Sequence, residues 1–370
     1  MQEIFSERAA QGETTMAKRQ GHGKAEAIEA TGPAGPGSVT AKGKTRVVAL
    51  SGSSSFLGRN LIGLLEGDPR TSKIVALDVR PPSTAGAKTR FYEIDFTQPT
   101  SEARMAELFA AEQVHTLVHL AFLSLPTHAT AWAHEFESVG TMHVLNAARQ
   151  AHVEKLVHWS QTVLYGAHPS NPNFLNEGRP LRAPTGVPFF QDKLDAEREA
   201  HRFGERKGAS VTVLRTAPIL GPTVRNYVTR FLGHRLVPTL MGFDPLWQFL
   251  HEVDAVAAFK HALDRDVPGT FNVVSDGVLP LSTVIRLAGR LAVPIPRPLA
   301  VSLTGALWAA QVSENPPDFI DFLRYLCVAD GKLAGGHFGF RPSYSSRDAV
   351  IDFATAQHLR DVKLLDEPTV

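Results

Sequence analysis

The stretch Thr45–Glu66 reads T-R-V-V-A-L-S-G-S-S-S-F-L-G-R-N-L-I-G-L-L-E, and after a short connector Lys73–Asp78 reads K-I-V-A-L-D. Val47–Leu50 is a short apolar run rich in β-branched residues, which is typical of a buried parallel strand. After the glycine-bearing turn, apolar residues recur at helical spacing, and Ile74–Leu77 is a second apolar run. The stretch therefore predicts a strand, a turn, a helix and a second strand that ends in Asp78.

This strand–turn–helix–strand unit is the one that binds a dinucleotide. The helix N-terminus offers unpaired N–H groups and the positive end of its dipole to a pyrophosphate. Asp78 lies roughly 20 residues past the turn, where a carboxylate accepts hydrogen bonds from ribose hydroxyls. A lone glycine pattern would be a weak signal, but both strands and the acid are present, so a turn without a ligand is the less favoured interpretation. The predicted cofactor-binding residues of this unit are Gly52, Ser54, Ser55, Phe56, Leu57, Gly58, Asp78 and Arg80.

Composition excludes several classes of protein. The chain of 370 residues can bury a large core, and its net charge of +1 gives no electrostatic case for nucleic acid. The single cysteine, Cys327, excludes an internal disulfide framework and fits a reducing compartment, so a cytoplasmic location is expected. No stretch reaches the ~20 apolar residues of a membrane helix, so no transmembrane segment is expected. The histidines lack partners at ligand spacing, so no metal site is expected.

The chain divides into four predicted regions. Residues 1–44 have few apolar side chains and no periodicity, which predicts a disordered tail. Residues 45–225 alternate strands with helices, which predicts a doubly wound parallel α/β domain that binds its ligand at the carboxyl ends of the strands. Residues 226–345 are predicted to form a smaller substrate lobe, with 248–275 returning to the sheet. Residues 346–370 are predicted to be a C-terminal helix and tail.

The periodicity also predicts the individual elements. The predicted strands are Val47–Leu50, Ile74–Leu77, Phe91–Phe96, Val114–Leu120, Lys155–Ser160, Val211–Leu214 and Thr270–Val274. The predicted helices are Phe56–Leu65, Ser101–Glu112, Phe136–Ala151, Asp192–Gly204, Val253–Asp264 and Leu299–Val312, with a further helical pattern over Tyr227, Phe231, Leu232 and Leu236. The helix at 299–312 is too short to span a bilayer; packing on the lobe is favoured over a membrane or a partner because a basic face is missing. The bulky loop at 241–247 either borders an apolar substrate or packs in the core.

The chain carries a series of local motifs in a fixed order. They are Ser51–Gly58, Asp95–Phe96, Val118–Phe122, Gly140–Thr141, Leu164–Gly166, Leu214–Pro222 and Gln248–Asp254. Together these motifs resemble the extended short-chain dehydrogenase/reductase family of the NAD-dependent epimerase/dehydratase type, over most of the chain. The resemblance implies a Rossmann-type fold with a smaller C-terminal substrate lobe. It also implies that Asp95 and Phe96 border the adenine and that Leu120 and Ala121 line the cofactor at a strand end.

The catalytic pair of the family is only half present. The family carries Tyr-x-x-x-Lys on one helix face, where the lysine holds the ribose and lowers the tyrosine pKa, so that the phenol can exchange a proton with the substrate. Here Lys193 is present, but Phe189 occupies the tyrosine position, and a phenyl ring has no proton to transfer. Tyr165 is the nearest phenol in the sequence, although packing is the commoner role at its position. Lys193 and Tyr165 are therefore candidate catalytic residues.

Other family positions are also altered. The catalytic Ser or Thr of the family aligns with Gln161, and the flanking hydroxyls of Ser160 and Thr162 are candidates to orient a carbonyl or are ordinary polar groups at a strand end. The asparagine before the G-T motif aligns with Glu137. The middle glycine of the turn aligns with Ser55, which could crowd the pyrophosphate or donate to it. Most cofactor positions are therefore retained, whereas most catalytic positions are changed.

Two classes of function follow from this pattern. The first is an NAD(P)-dependent oxidoreductase or epimerase that acts on an alcohol or carbonyl of a sugar nucleotide, a sterol-like molecule or another small substrate with non-standard acid/base groups. The second is a catalytically inactive cofactor-binding protein that acts as a sensor, assembly factor or scaffold. Asp78 would repel a 2′-phosphate and favours NAD, while Arg80 leaves NADP open. A homodimer is the oligomeric state considered.

Overall fold

The computed structural model describes residues 45–184, 186–205, 208–313 and 315–362. Its strands are β1 Arg46–Ser51, β2 Thr71–Asp78, β3 Thr89–Glu93, β4 Thr116–His119, β5 Lys155–Gln161, β6 Ser210–Thr216, β7 Ile219–Leu220, β8 Leu236–Leu240, β9 Leu246–Trp247, β10 Leu250–His251, β11 Gly269–Val273, β12 Leu279–Pro280 and β13 Leu291–Ile295. Its α-helices are α1 Phe56–Glu66, α2 Ser101–Ala111, α3 Thr130–His134, α4 Gly140–Gln150, α5 Pro188–Gly204, α6 Tyr227–Gly233, α7 Glu252–Asp264, α8 Leu281–Leu287, α9 Arg297–Ala309 and α10 Ser346–Asp361. The predicted disordered tail at 1–44 and the last residues of the predicted C-terminal tail, 363–370, lie outside the described residues.

The main sheet has seven parallel strands in the order β11-β6-β5-β4-β1-β2-β3. Strand β1 pairs with β2 on one side and with β4 on the other, so the direction of winding reverses between β1 and β4. Ligands of such sheets bind in the crevice outside the carboxyl ends of the strands at this reversal. The predicted doubly wound Rossmann-type α/β fold is confirmed, and the fold places the ligand crevice at the ends of β1 and β4.

Both faces of the sheet are covered by helices. Val48 and Leu50 of β1 belong to one buried cluster together with residues of α1 and α7. The alternate residues Val47 and Ala49 belong to a second cluster with α2, α4 and α5. A strand that is buried on both faces needs apolar residues at successive positions, which explains why β1 is a continuous apolar run instead of an alternating pattern.

The predicted strands are all present, with ends within three residues of the prediction. Two helical predictions differ at their ends. Helix α5 begins at Pro188, not at Asp192, because the fixed φ of proline and its missing N–H suit the first position of a helix. The prediction of a helix through Leu236 was wrong at that residue. Helix α6 ends at Gly233, and Leu236 is the first residue of β8, which pairs in parallel with β13. The boundaries of the two predicted lobes stay a prediction.

The predicted helix Phe136–Ala151 is longer and is interrupted. The chain is helical from Thr130, and the segment Glu135–Val139 between α3 and α4 is a π-helical turn. A π-turn inserts one extra residue into a helix, and such turns occur mostly at functional sites. In the described part of the chain, no helix is long and apolar enough to cross a membrane, and no cluster of three metal-ligating side chains is present.

Two buried imidazoles lie side by side on the central strands. His119 of β4 and His158 of β5 are paired in register, and their rings stack with centroids 5.5 Å apart. His119 is held by Ser51 Oγ, 2.6 Å from Nδ1, and by Thr141 Oγ1, 2.8 Å from Nε2. Neither ring nitrogen of His158 has a partner among the described residues. Burial lowers the pKa of His158 to about 4 and holds that of His119 well below its usual value, so both rings are neutral at pH 7.

Protonation of His158 should therefore destabilise the fold in acid. The folded pKa of His158 is lower than its unfolded value, so the unfolded chain binds more protons and stability falls as the pH drops from about 6.5 towards about 4. For His158 alone the loss at pH 5 is about 2 kcal/mol. Urea unfolding at pH 7 and pH 5 measures it. His158→Phe should reduce this loss of stability, whereas the same change at the exposed His168 should not. An equal loss of stability between pH 7 and pH 5 in both variants would contradict this account.

Candidate active site

The glycine-bearing turn is pressed against the end of β4. Gly52 has φ +73°, and a Cβ on it would lie 2.6 Å from the carbonyl oxygen of Leu120. A Cβ on Gly58 would lie 2.5 Å from the carbonyl oxygen of Gly52, so only glycine lets α1 start this close to the turn. Ser55 caps α1, because its Oγ accepts a hydrogen bond from the Gly58 N–H at 3.1 Å. These contacts fix the turn at the crevice where the sheet order reverses.

The acid at the end of β2 is tied to the turn. Asp78 is partly buried, and its Oδ2 accepts from the Ser54 N–H at 2.9 Å while its Oδ1 accepts from the Val79 N–H at 2.8 Å. Each carboxylate oxygen keeps a lone pair for a ribose hydroxyl. Arg80 is exposed two residues further on. The structure therefore brings the predicted turn residues and Asp78 together.

The arrangement fits the pyrophosphate and adenosine half of a dinucleotide. The first-turn N–H groups of Phe56 and Leu57 have no partner within their helix, as at the start of any helix, and they are the donors that a pyrophosphate takes. The Ser55 hydroxyl uses a lone pair for the cap, which leaves its O–H free to donate to a phosphate oxygen. Ser55 is thus compatible with a phosphate at this turn.

The remaining predicted cofactor residues differ in exposure. Asp95 is exposed and lies after the end of β3, where its carboxylate accepts from Thr97. Phe96 is buried and packs against Phe136, with ring centroids 6.2 Å apart, so its side chain belongs to the core. Leu120 and Ala121 are buried where β4 ends beside the turn. Only the Asp95 side chain of this group is open to solvent.

Lys193 is enclosed in the protein and paired with a carboxylate. Its side chain is 0% exposed, and its Nζ donates to Glu137 Oε1 at 2.5 Å and to the Leu123 carbonyl oxygen at 2.8 Å. The same Nζ lies 3.7 Å from the ring centroid of Phe122 and 4.0 Å from that of Phe189. Burial raises the pKa of Glu137 and lowers the pKa of Lys193, because removal from water disfavours both charged forms. The ion pair opposes both shifts.

The π-helical turn positions the carboxylate of this pair. Glu137 lies in the middle of the turn Glu135–Val139 and is 1% exposed. Thr141 Oγ1 donates to the Glu137 carbonyl oxygen at 2.5 Å, and because its proton is used, it accepts from Nε2 of His119. Ser51 Oγ then completes a chain of hydrogen bonds from the end of β1 to the turn. The chain links the cofactor strands to the ion pair.

Phe189, at the tyrosine position of the resembled family, lies in an aromatic cluster. Its ring centroid is 5.4 Å from that of Phe190, 6.1 Å from that of Tyr227 and 5.9 Å from that of Phe319. A small cavity of about 20 Å³ adjoins Phe189 and Glu137. A space of this size holds about one water molecule. The Phe189 ring is therefore closely packed against the aromatic cluster and has room for a hydroxyl where it adjoins the small cavity.

Two of the candidate catalytic hydroxyls lie in a separate buried network. Ser160 Oγ donates to the Glu197 carboxylate, which pairs with Arg215. The Tyr165 hydroxyl donates to Asn272 Oδ1 at 2.8 Å and accepts from Arg215 Nη1 at 2.9 Å. These groups do not contact Lys193, and their hydrogen-bonding capacity is used within the network. A catalytic role for Ser160 or Tyr165 stays a prediction that this placement does not support.

A main cavity of about 420 Å³ opens beyond the carboxyl ends of β5 and β6. Thr162 and Pro218 line its end at the sheet, and residues of α6, of α9 and of the ranges 312–313 and 315–323 form other parts of its wall. Leu246 and Trp247 also line it, so the apolar loop predicted at 241–247 borders the cavity at these two residues. Of the three predicted catalytic hydroxyls, only Thr162 reaches this space.

Tyr227 is a phenol in the wall of this cavity that the sequence did not single out. It is the first residue of α6, beside Phe189, and burial raises its pKa, so it is protonated at neutral pH. Tyrosine is scarce in this chain, with five residues, and only Tyr227 and Tyr325 line the cavity. In the sequence, Tyr227 is one residue of an apolar helical pattern, so nothing marked it as a site residue. Phe122 was missed too, although it stands where the resembled motif ends in alanine.

Comparisons with known proteins decide the family. A model of the NAD-dependent epimerase/dehydratase family matches residues 48–274. The chain belongs to the NAD-dependent epimerase/dehydratase family. The resemblance drawn from the motifs is thereby confirmed, and because the family is NAD dependent, NAD is confirmed as the cofactor.

Similar proteins include relatives and solved structures. An uncharacterised protein of Mycobacterium bovis is 30% identical over 325 residues, which are 86% of this chain and 85% of that protein. A 3-diazoavenalumate denitrifying reductase of a Streptomyces species is 29% identical over 270 residues, which are 70% of this chain and 86% of that protein. The structure of MoeE5 in complex with UDP-glucuronic acid and NAD has a TM-score of 0.65 at 21% identity and covers 85% of this chain and 99% of that chain. At this identity the structural likeness establishes the fold alone.

Asp78 should control cofactor affinity in this member of the epimerase/dehydratase family. Asp78→Asn keeps an oxygen for the Ser54 N–H but removes the charge, and hydrogen bonds to charged groups contribute about 1.5–3 kcal/mol. Titration calorimetry with NADH should show binding about 10- to 100-fold weaker than for the wild type. The matched change Glu107→Gln, exposed on α2, should leave binding unchanged. Unaltered affinity in Asp78→Asn would show that this carboxylate does not face the ribose.

Phe189→Tyr should cost little stability. The added hydroxyl can enter the small cavity beside Glu137, so the loss should stay within about 1.5 kcal/mol. Phe190→Tyr is the matched control, because Phe190 is fully buried against Phe319 and Phe322 and adjoins neither cavity. Urea unfolding compares the two variants. A loss for Phe189→Tyr as large as that for Phe190→Tyr would show that no hydroxyl fits at the position.

Proposed function

We propose that the protein is an NAD-dependent oxidoreductase that reduces the carbonyl group of a small molecule. The observation that carries the proposal is the main cavity, which lies at the carboxyl ends of β5 and β6 and has the protonated phenol of Tyr227 in its wall. In a doubly wound sheet, the cofactor lies across the carboxyl ends of the strands. A substrate in the main cavity would therefore lie beside the cofactor.

The cofactor half of the site would be formed by the turn and by β2. The first-turn N–H groups of α1 and the Ser55 hydroxyl would bind the pyrophosphate, and Asp78 would bind the adenosine ribose. When bound, the reduced cofactor supplies a hydride. Everything else that the reaction requires, including orientation, polarisation of the carbonyl and a proton, has to come from side chains of the chain or from water.

Tyr227 is proposed to supply the hydrogen bond to the carbonyl oxygen. A protonated phenol polarises a carbonyl and passes its proton to the oxygen as negative charge develops there. Burial keeps the phenol protonated before the reaction, which is the form that donates a hydrogen bond to a carbonyl oxygen. Thr162, in the same cavity wall, is the second hydroxyl within this space.

Lys193 is proposed to hold the nicotinamide ribose without activating a phenol. An ammonium has three N–H donors, and Leu123 and Glu137 accept two of them. The rings of Phe122 and Phe189 enclose the Nζ, so a ribose hydroxyl would reach the third N–H after one of these rings moves. Glu137 balances the charge of Lys193 and so opposes the loss of charge that burial favours. This division of roles differs from that of the family, where one lysine serves both the ribose and the tyrosine.

The non-catalytic alternative is less favoured. Relatives whose names state an activity are a denitrifying reductase and a dTDP-D-glucose 4,6-dehydratase, and the latter, from Mus musculus, is 27% identical over 220 residues. A catalytic function is more consistent with such relatives than a sensor or scaffold is. A cytoplasmic location, supported by the single cysteine, and a homodimer stay part of the proposal.

Removal of the Tyr227 hydroxyl should abolish most of the activity. General acid groups contribute about 10²- to 10⁴-fold to rates, so Tyr227→Phe should lower kcat/KM by that factor. Tyr325→Phe is the matched control, since it removes the other phenol of the cavity wall. The assay follows NADH oxidation with cinnamaldehyde, cyclohexanone and 2-decanone, and calorimetry confirms that each variant still binds NADH. Equal losses in both variants would overturn the assignment of Tyr227. NADH binding by the wild type without turnover of any carbonyl would favour a non-catalytic protein.

A further inference from the structure

The wall of the main cavity contains no Lys, Arg, Asp or Glu among the described residues. Its side chains are aliphatic and aromatic for the most part, such as Phe231, Leu240, Trp247, Leu307 and Phe322. A diphosphate placed here would lose its hydration and meet no lysine or arginine, with His234 as the one basic side chain among the described lining residues, which is unfavourable. Sites that bind phosphates normally supply arginine, lysine or free backbone N–H groups.

Helix N-termini at the cavity do not compensate for the missing cations. At the start of α6, the Asn226 side chain accepts from the N–H groups of Val228 and Thr229, both at 3.0 Å, so these donors are already bonded. Two other helical segments that border the cavity have a proline in their first turn, Pro298 in α9 and Pro317 in the 3₁₀ helix 317–323, so each has one donor fewer. Proline has no N–H to offer an anion.

One guanidinium beside the wall, that of Arg324, stacks on aromatic rings. Arg324 lies between two cavity-lining residues in the sequence but does not line the cavity itself. Its Cζ is 4.5 Å from the ring centroid of Tyr325 and 5.0 Å from that of Phe243, as expected for stacking of a guanidinium on aromatic faces.

The mouth of the cavity is apolar as well. Val312 is 71% exposed and Leu303 is 44% exposed, and both line the cavity, so they lie where it meets solvent. Helix α9 therefore forms a thin apolar wall between the cavity and water. The volume of about 420 Å³ is within the range of sites for drug-sized ligands.

We infer that the substrate is an uncharged molecule with an apolar body and one carbonyl or hydroxyl group, and not a nucleotide-linked sugar. In this inference the apolar body fills the space between α6 and α9, and the single oxygen bonds the hydroxyls of Thr162 and Tyr227, which are two of the neutral polar groups in the wall. The identity of the reacting group rests on the proposed function, whereas the apolar nature of the ligand rests on the cavity alone.

Binding of N-phenyl-1-naphthylamine, a neutral apolar fluorophore, tests the inference on the full chain. The dye should bind saturably to the wild type and be displaced by 2-decanone but not by an excess of UDP-glucose. Displacement by UDP-glucose, or no saturable binding of the dye, would overturn the inference. Calorimetry with NADH is done in parallel, so that loss of cofactor binding, which contradicts the proposed function, is distinguished from loss of apolar binding.

A pair of variants on α9 locates the dye. Leu307→Arg places a charge in the cavity wall and should weaken dye binding at least tenfold, whereas Leu299→Arg, 58% exposed on the same helix and outside the cavity, should bind like the wild type. Thermal unfolding checks that both variants are folded. If Leu307→Arg does not fold, the wild-type competition between 2-decanone and UDP-glucose still decides. Equal affinity in two folded variants would mean that the dye binds elsewhere and would overturn the inference.

Discussion

A buried ammonium needs a counter-charge, and the Lys193–Glu137 ion pair is the contact on which the rest of this site depends. The penalty for removing such charges from water is several kcal/mol per ion, so removal of one partner would leave the other strongly destabilised. Where the family has a tyrosine, this chain has the ring of Phe189, and Phe122 provides a second ring near the same Nζ. Aromatic faces stabilise a cation but accept and donate no proton. Lys193 therefore keeps its position while its influence on a neighbouring phenol is lost.

The ion pair is connected to the cofactor strands through the backbone. The hydrogen bonds that run from Ser51 through His119 and Thr141 end on the carbonyl oxygen of Glu137, inside the π-helical turn. An α-helix without the extra residue would rotate Glu137 away from the strand ends, because each residue turns the helix by about 100°. The neutral state of His119 thus supports the geometry of the site. Its two hydrogen bonds explain why this imidazole is tolerated so deep in the core.

Local patterns predicted the fold, which is confirmed, and the cofactor half of the candidate site, which stays a prediction. Strands buried on both faces are continuous apolar runs, and the glycine turn and Asp78 lie within one strand–turn–helix–strand unit, so short-range periodicity encodes them. The other half is built from contacts between distant positions: Lys193 meets Glu137 from another helix, and Tyr227 reaches Phe189 from α6. A local sequence pattern does not indicate which distant residues will be in contact. The π-turn was also hidden, because one extra residue barely alters an apolar period over a helix of this length.

One physical cause accounts for both unusual features of the catalytic half. Low polarity raises the pKa of Tyr227, and low polarity also excludes a diphosphate from the main cavity. In such surroundings an alkoxide is costly to form, so a carbonyl oxygen that gains negative charge must receive a hydrogen bond or a proton at the same time. A phenol that keeps its proton meets this requirement without a lysine beside it. The loss of the usual tyrosine and the apolar cavity are therefore consistent with the proposed function, in which the proton donor would be on α6 instead of α5.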